Sequence, residues 1–128
     1  MLVVGALKLK AQIICGEEYA MGPGKAQLLE TIDREGSISG AGRALGMSYR
    51  RAWLLVDTMN RCWAQPLVET TAGGGQSKGA RLSPLGREVL AAYRGLEQTL
   101  ADAANSGPLK ALSAKLLATP KESQGQGI

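Results

Sequence analysis

The chain has 128 residues, 45% of them hydrophobic, and 15 Lys and Arg against 11 Asp and Glu for a net charge of +4. That length and apolar share suit one globular domain with a real core and exclude wholesale disorder. The mild positive charge favours an anionic partner without naming it, and the absence of histidine removes the usual general base, histidine-based triads and most zinc sites.

Two cysteines, Cys15 and Cys62, are too few and too far apart for a disulfide framework or a four-ligand metal site. Their apolar neighbours mark them as buried thiols in a reducing compartment. The apolar run at residues 2–7 lacks the basic flank, length and cleavage site of a signal peptide. No apolar stretch approaches the ~20 residues that span a bilayer. The expectation is a soluble, cytoplasmic protein with no metal, no cofactor and no membrane partner.

Along residues 7–13, Leu7, Leu9, Ala11 and Ile13 alternate with Lys8, Lys10 and Gln12. This is the period of a half-buried strand, and lysines on the open face suit a sheet edge. Residues 16–24 break the pattern with glutamates, glycines and Pro23. Over residues 24–35, Leu28, Leu29 and Ile32 fall at helical spacing, with Pro23 near the start and Gly36 just past the end. This helix reads as a core-forming support.

Ser37 is placed to cap a second, short helix that turns Ile38, Ala41, Ala44 and Leu45 inward. Gly40 and Gly42 leave room for a crossing helix. Gly46 stands where a helix C-terminus needs a left-handed residue, and Ser48 caps the next helix. The connection has the length of the turn in a helix-turn-helix. On a wheel for residues 49–64, Ala52, Leu55, Val56, Met59 and Trp63 share the inner side. Arg50, Leu54, Asp57, Thr58 and Arg61 share the outer side, with Arg51 flanking. Trp53 and Cys62 fall at the border, and both tryptophans read as core rather than as base-stacking aromatics.

The head of that helix, Ser48-Tyr49-Arg50-Arg51, carries the functional signal. A helix N-terminus presents free amides and a positive dipole end, which suit phosphate. Arg50 matches a guanine edge in the major groove and Arg51 a phosphate. An isolated arginine pair is an ordinary solvated surface; its position at the start of the second helix is what gives it meaning.

Pro66 ends the helix. Residues 67–71 read as a strand, residues 72–79 as a glycine-rich loop holding Gln76, Ser77 and Lys78, and residues 80–83 as a return strand. Behind a helix-turn-helix, such a hairpin is a wing. As a nucleotide-phosphate loop it fails, because no glycine precedes Lys78, no Ser or Thr follows it, and its flanks run strand to strand. Ser83 and Pro84 open a long last helix. Its residues Leu85, Val89, Ala92, Leu96, Leu100 and Ala103, strengthened by Tyr93, form a near-heptad stripe that predicts a partner helix. The competing reading is that the stripe closes the domain's own core. Ser106-Gly107-Pro108 ends the helix, Leu109, Leu112 and Leu116 allow one more short amphipathic piece, and the polar tail after Pro120 is expected to be disordered. The carboxylates Glu17, Glu18, Glu30, Asp33 and Glu35 form no acid/base pair that sequence supports, so no enzyme is expected.

The runs Gly36-Ser37-Ile38-Ser39, Gly46-Met47-Ser48-Tyr49-Arg50, Ala52-Trp53, Met59-Asn60 and Leu67-Val68-Glu69 together resemble the N-terminal domain of the molybdate-responsive ModE regulators. The likeness continues through Gly73-Gly74-Gly75 and Leu82-Ser83-Pro84-Leu85-Gly86. Its Gly-Ser-Ile-Ser part is shared with LysR-type winged helices. The resemblance implies a dimeric winged helix whose last helix, with the N-terminal strand region, builds the dimer. It also implies that Ser48, Tyr49, Arg50 and Arg51 form the leading turn of the recognition helix. The chain ends about where the oxyanion-binding domains of those regulators would begin, so molybdate sensing by this polypeptide is not expected.

The expected architecture is therefore mainly α with a small β-hairpin wing: a winged helix-turn-helix with a long C-terminal dimerisation helix at residues 84–105. Residues 1–105 form the domain, and residues 106–128 a partly disordered tail. The expected function is sequence-specific binding of double-stranded DNA by a homodimer, through recognition helix 49–64 and wing 71–80. The candidate DNA contacts are Ser37, Arg43, Ser48, Tyr49, Arg50, Arg51, Arg61, Gln76, Ser77 and Lys78. The candidate dimer contacts are Leu85, Val89, Tyr93, Leu96 and Leu100. The alternatives are a winged-helix dimer that docks a protein, and a small oxyanion sensor.

Overall fold

The computed structural model describes residues 1–71 and 79–125. Its elements run β1 (Leu2–Val4), β2 (Leu7–Leu9), β3 (Ile13–Cys15), β4 (Glu18–Met21), α1 (Pro23–Glu35), α2 (Ile38–Ala44), α3 (Tyr49–Cys62), β5 (Val68–Thr71), β6 (Gly79–Leu82), α4 (Pro84–Ala104) and α5 (Gly107–Lys115). The strands pair as three separate antiparallel hairpins, β1–β2, β3–β4 and β5–β6.

The strand expected across residues 7–13 is instead split between two hairpins. Leu7, Leu9, Ala11 and Ile13 are half-buried and Lys8, Lys10 and Gln12 exposed, as the alternation requires. Pairing is another matter. Leu7 sits opposite Val4 across a turn at Gly5, while Cys15 pairs with Glu18 across Gly16. Alternation reports which face a residue takes; it does not report which segment satisfies the backbone. The break expected over residues 16–24 likewise hides β4, whose Ala20 and Met21 are buried.

The three central helices pack as the capping residues predict. Ser37 Oγ accepts the Gly40 N–H at 2.9 Å and Ser48 Oγ the Arg51 N–H at 3.1 Å, each satisfying a free first-turn amide. Gly46 takes the left-handed conformation at φ 69°, and the next amide, Met47 N–H, folds back to the Gly42 carbonyl at 2.9 Å. Gly42 has no space for a side chain: an added Cβ would lie 3.2 Å from the Met47 carbonyl oxygen and 3.5 Å from Ala52 Cβ. Ala52, Val56 and Met59 of α3 are buried against α1 residues such as Leu28, Leu29 and Ile32. α3 itself stops at Cys62, and Trp63 is already extended.

One joint ties α3, the wing and α4 together. Asn60 Oδ1 accepts the Leu67 and Val68 amides at 2.9 and 3.1 Å, and its Nδ2 donates to the Val68 carbonyl at 3.1 Å. Ser83 donates its hydroxyl to the Pro66 carbonyl at 2.6 Å and its amide to the Leu67 carbonyl at 2.8 Å. The same Ser83 oxygen caps α4 by accepting the Gly86 N–H at 2.9 Å. Gly86 lets the helix lie directly on this strand, since a Cβ there would overlap the Leu67 carbonyl.

Farther along α4, Tyr93 is 3% exposed and donates its hydroxyl to the Ala11 carbonyl at 2.8 Å. Arg94 forks onto Glu30 of α1 at 2.6 and 3.1 Å and reaches Glu97 at 2.6 Å. These bonds raise the Arg94 pKa, the Glu30 hydrogen bond most of all. Gly86→Ala is expected to cost about 1–3 kcal/mol through overpacking at a site with no slack, read as a lower melting temperature. Gly95→Ala, where an added Cβ meets nothing within 4 Å, is expected to leave the melt unchanged or raise it, because it stiffens an exposed helix.

Candidate nucleic-acid interface

The arginines divide by environment. Arg61 is bound to Asp57 at 2.9 Å, Arg81 to Glu69 at 3.2 Å, Arg87 to Asp33 at 3.0 Å and Arg94 to Glu30 at 2.6 Å. Arg34 lies 3.9 Å from Glu35. Among the described residues, the arginines without a carboxylate partner are Arg43, Arg50 and Arg51, all exposed. Arg43 lies in the last turn of α2, and Arg50 and Arg51 in the first turn of α3. The turn of the helix-turn-helix is therefore a concentration of uncompensated positive charge. The head of α3 adds its dipole.

Arg61, a candidate contact, is engaged with Asp57 one helical turn away, and the Asp57 hydrogen bond raises its pKa. Ser37 and Ser48 spend their oxygens as caps but keep a hydroxyl proton to donate. Tyr49 is exposed at the first position of α3. Gln76, Ser77 and Lys78 lie outside the described residues. The stem of their hairpin is held in place: the Ala80 N–H donates to the Gly36 carbonyl at 2.8 Å, and the Gly79 N–H to Thr71 Oγ1 at 2.8 Å. The stem of the hairpin is thus pinned to the end of α1, beside the head of α3.

Three expectations need correction. Trp53 is 46% exposed and is not core; α3 buries only the arc around Ala52, Val56 and Met59, and Trp53 falls beyond it, beside Tyr49. The polar positions around it gave no sequence signal of this. Trp63 does turn inward, donating Nε1–H to the Ala20 carbonyl at 3.3 Å. The cysteines are not both buried: Cys15 is exposed and Cys62 half-buried, because residues 13–15 form the outer strand of a hairpin rather than a covered one. Burial, then the neighbouring Cys15 thiol, pushes the Cys62 thiol up.

The third correction concerns the dimer stripe. At Tyr93, 3% exposed and bonded to the Ala11 carbonyl, the stripe closes the domain's own core. Leu85 and Val89 are half-buried against the domain core, whereas Ala92 and Leu96 are exposed. Ala92 and Leu96 border an apolar hollow of about 180 Å³ that is completed by Ile13, Met21 and Trp63. The join between the N-terminal hairpins and α4 was invisible to a helical wheel. No group of three or more possible metal ligands occurs among the described residues, and no described helix is long and apolar enough to cross a membrane.

The order of elements and the hairpin behind the second helix of the pair define a winged helix-turn-helix. The solved structure of the full-length LTTR LysG of Corynebacterium glutamicum shares this fold, with a TM-score of 0.50 at 23% identity over 75% of this chain and 30% of that one. No family model matches the chain. Its sequence relatives are ModE and Mop proteins. It is 45% identical over 78 residues to the molybdenum transport protein ModE of Azotobacter vinelandii, covering 61% of this chain and 29% of the relative. It is 39% identical over 99 residues to the molybdenum-pterin-binding protein MopA of Rhodobacter capsulatus, covering 73% and 37%. It is 36% identical over 76 residues to the DNA-binding transcriptional dual regulator ModE of Escherichia coli K12, covering 59% and 29%. The chain thus spans about a third of the length of these relatives.

Alkylation checks the thiol environments. Limited iodoacetamide at pH 8 is expected to label Cys15 well before Cys62, because burial withholds the Cys62 thiolate. Equal rates in peptide mass spectrometry would contradict the packing of α3 against the β3–β4 hairpin.

Proposed function

We propose that this chain is a ModE-type, DNA-binding transcription regulator that acts as a homodimer in molybdenum metabolism. The observation that carries the reading is the trio of unpaired arginines, Arg43, Arg50 and Arg51, at the helix-turn-helix turn, while the other arginines are engaged with carboxylates. Charge left uncompensated at one edge of a fold is a surface waiting for an anion. In this reading Arg50 faces the base edges, Ser48, Arg51 and Arg43 hold phosphates, and Lys78 adds a phosphate contact from the wing. The relatives named as transcription regulators support the same role. Nothing in it requires catalysis.

Residues 1–105 serve as the reading and dimerising unit. Leu96, with Ala92 and Leu100, is the centre of the dimer contact, and Leu85 and Val89 contribute their exposed edges. A two-fold through this stripe sets two recognition helices against half-sites about one turn of DNA apart, roughly 34–36 Å.

Arg50→Ala should cost about 1–3 kcal/mol in binding and relax selectivity at one base position, whereas Lys78→Ala should weaken all sequences evenly and lower the salt slope by about one. Gel shifts on duplexes selected from random DNA measure both. Wild-type affinity should fall on the order of 10³-fold or more between 50 and 200 mM salt if six or more phosphates are engaged. Binding indifferent to salt and to Arg50→Ala would point to a protein partner instead. Leu96→Glu should shift the chain to monomer in sedimentation while its circular-dichroism spectrum stays that of the folded chain.

A further inference from the structure

α3 does not present a uniformly polar face to solvent. Tyr49 and Trp53, one turn apart, are 57% and 46% exposed. They wall a groove of about 600 Å³ that runs between α3, the start of α2 and the stem of the wing. The opposite wall is Ser39, Thr70 and Thr71, and among the described residues no charged side chain lines the groove. A tryptophan carries a large apolar surface, of the order of 150–250 Å² when buried. Left in water on the outer side of a helix, that surface is a binding anchor without its partner.

The neighbours restrict what the partner is. At about 100° per residue, Trp53 stands about 60° around the helix from Arg50, so both side chains address the same object. Arg50, which has no carboxylate partner among the described residues, favours a polyanion, and no described carboxylate lines the groove. The groove's described lining, aromatic and hydroxyl-bearing, suits base edges better than phosphates. Among the base edges of the major groove, thymine carries the apolar group, its C5-methyl. We propose that Trp53, buttressed by Tyr49, is a specificity-determining residue that packs on a thymine methyl next to the base read by Arg50. This rests on the DNA-binding reading and adds the base chemistry to it.

The test uses the full chain and a duplex that it selects from random DNA, together with copies in which one thymine at a time is replaced by deoxyuridine. That replacement removes only the methyl. One position per half-site should weaken wild-type binding about fourfold, the equivalent of one buried methyl group at ~0.8 kcal/mol. Trp53→Ala should bind the thymine duplex more weakly and be indifferent to the replacement. Because Trp53 is outside the core, this variant should melt like wild type. In Trp63→Phe, Trp53 is the remaining tryptophan of the two in the chain, and its emission should change on adding the duplex. Wild type that binds every deoxyuridine copy alike, or Trp53→Ala that keeps the full affinity and discrimination, overturns the proposal. If Arg50→Ala loses binding while Trp53→Ala does not, the thymine contact fails and the DNA reading stands. A chain that selects no duplex at all loses both.

Discussion

The crossing of Asn60, Leu67, Ser83 and Gly86 is the constraint on which the other parts depend. The carboxamide of Asn60, near the end of the recognition helix, takes both amides at the head of β5 and returns one bond to its carbonyl. Ser83 then binds the same strand from its far side and caps the long helix with the same oxygen. Three elements that must keep a fixed relation, the recognition helix, the wing and α4, meet there at backbone level. Each buried amide left unmatched would cost about 1–3 kcal/mol, so the joint is held by satisfaction of polar groups as much as by apolar packing. An inclined or loose α4 would carry its outer stripe to a different angle against the rest of the domain.

Electrostatics then divide the surface. Arg87 and Arg94 fasten α4 to the carboxylates of α1, Arg61 is answered within α3, and Arg81 is answered across the β5–β6 hairpin. Exposed pairs of this kind contribute little to stability, typically 0–1 kcal/mol. Their larger effect is on where the field remains. With those guanidinium charges matched, the arginines without a carboxylate partner among the described residues stand at the turn between α2 and α3, where the dipole at the head of α3 has the same sign. The position of these arginines, more than the net charge of +4, sets where an anion would be drawn.

Much of the architecture was legible from single residues. Ser37, Ser48 and Ser83 cap the helices that follow them, and Gly46 takes the left-handed turn, because caps and turns are local and short polar side chains or a missing Cβ have few other uses there. The place of Tyr49, Arg50 and Arg51 in the first turn of α3 was legible for the same reason: it follows from their distance to the Ser48 cap. Trp53, Tyr93 and Cys15 were not. A wheel measures angle about one axis, and whether a border residue is covered depends on which neighbour crosses there. Trp53 has open groove above it, while Tyr93 has the backbone of residue 11.

The sequence by itself determined the helices, their caps, the hairpin behind the second of the helix-turn-helix pair and the cluster of arginines at its head, all set by contacts within a few residues. Tertiary structure decided how residues 2–21 pair, which arginines keep a carboxylate, and which part of the α4 stripe remains outside. The last of these turns on contacts between segments 43 and 82 residues apart, as when Trp63 reaches Ala20 and Tyr93 reaches Ala11. Periodicity carries the face a residue takes but not the partner that will meet it, because pairing is fixed only when the chain closes its long-range contacts.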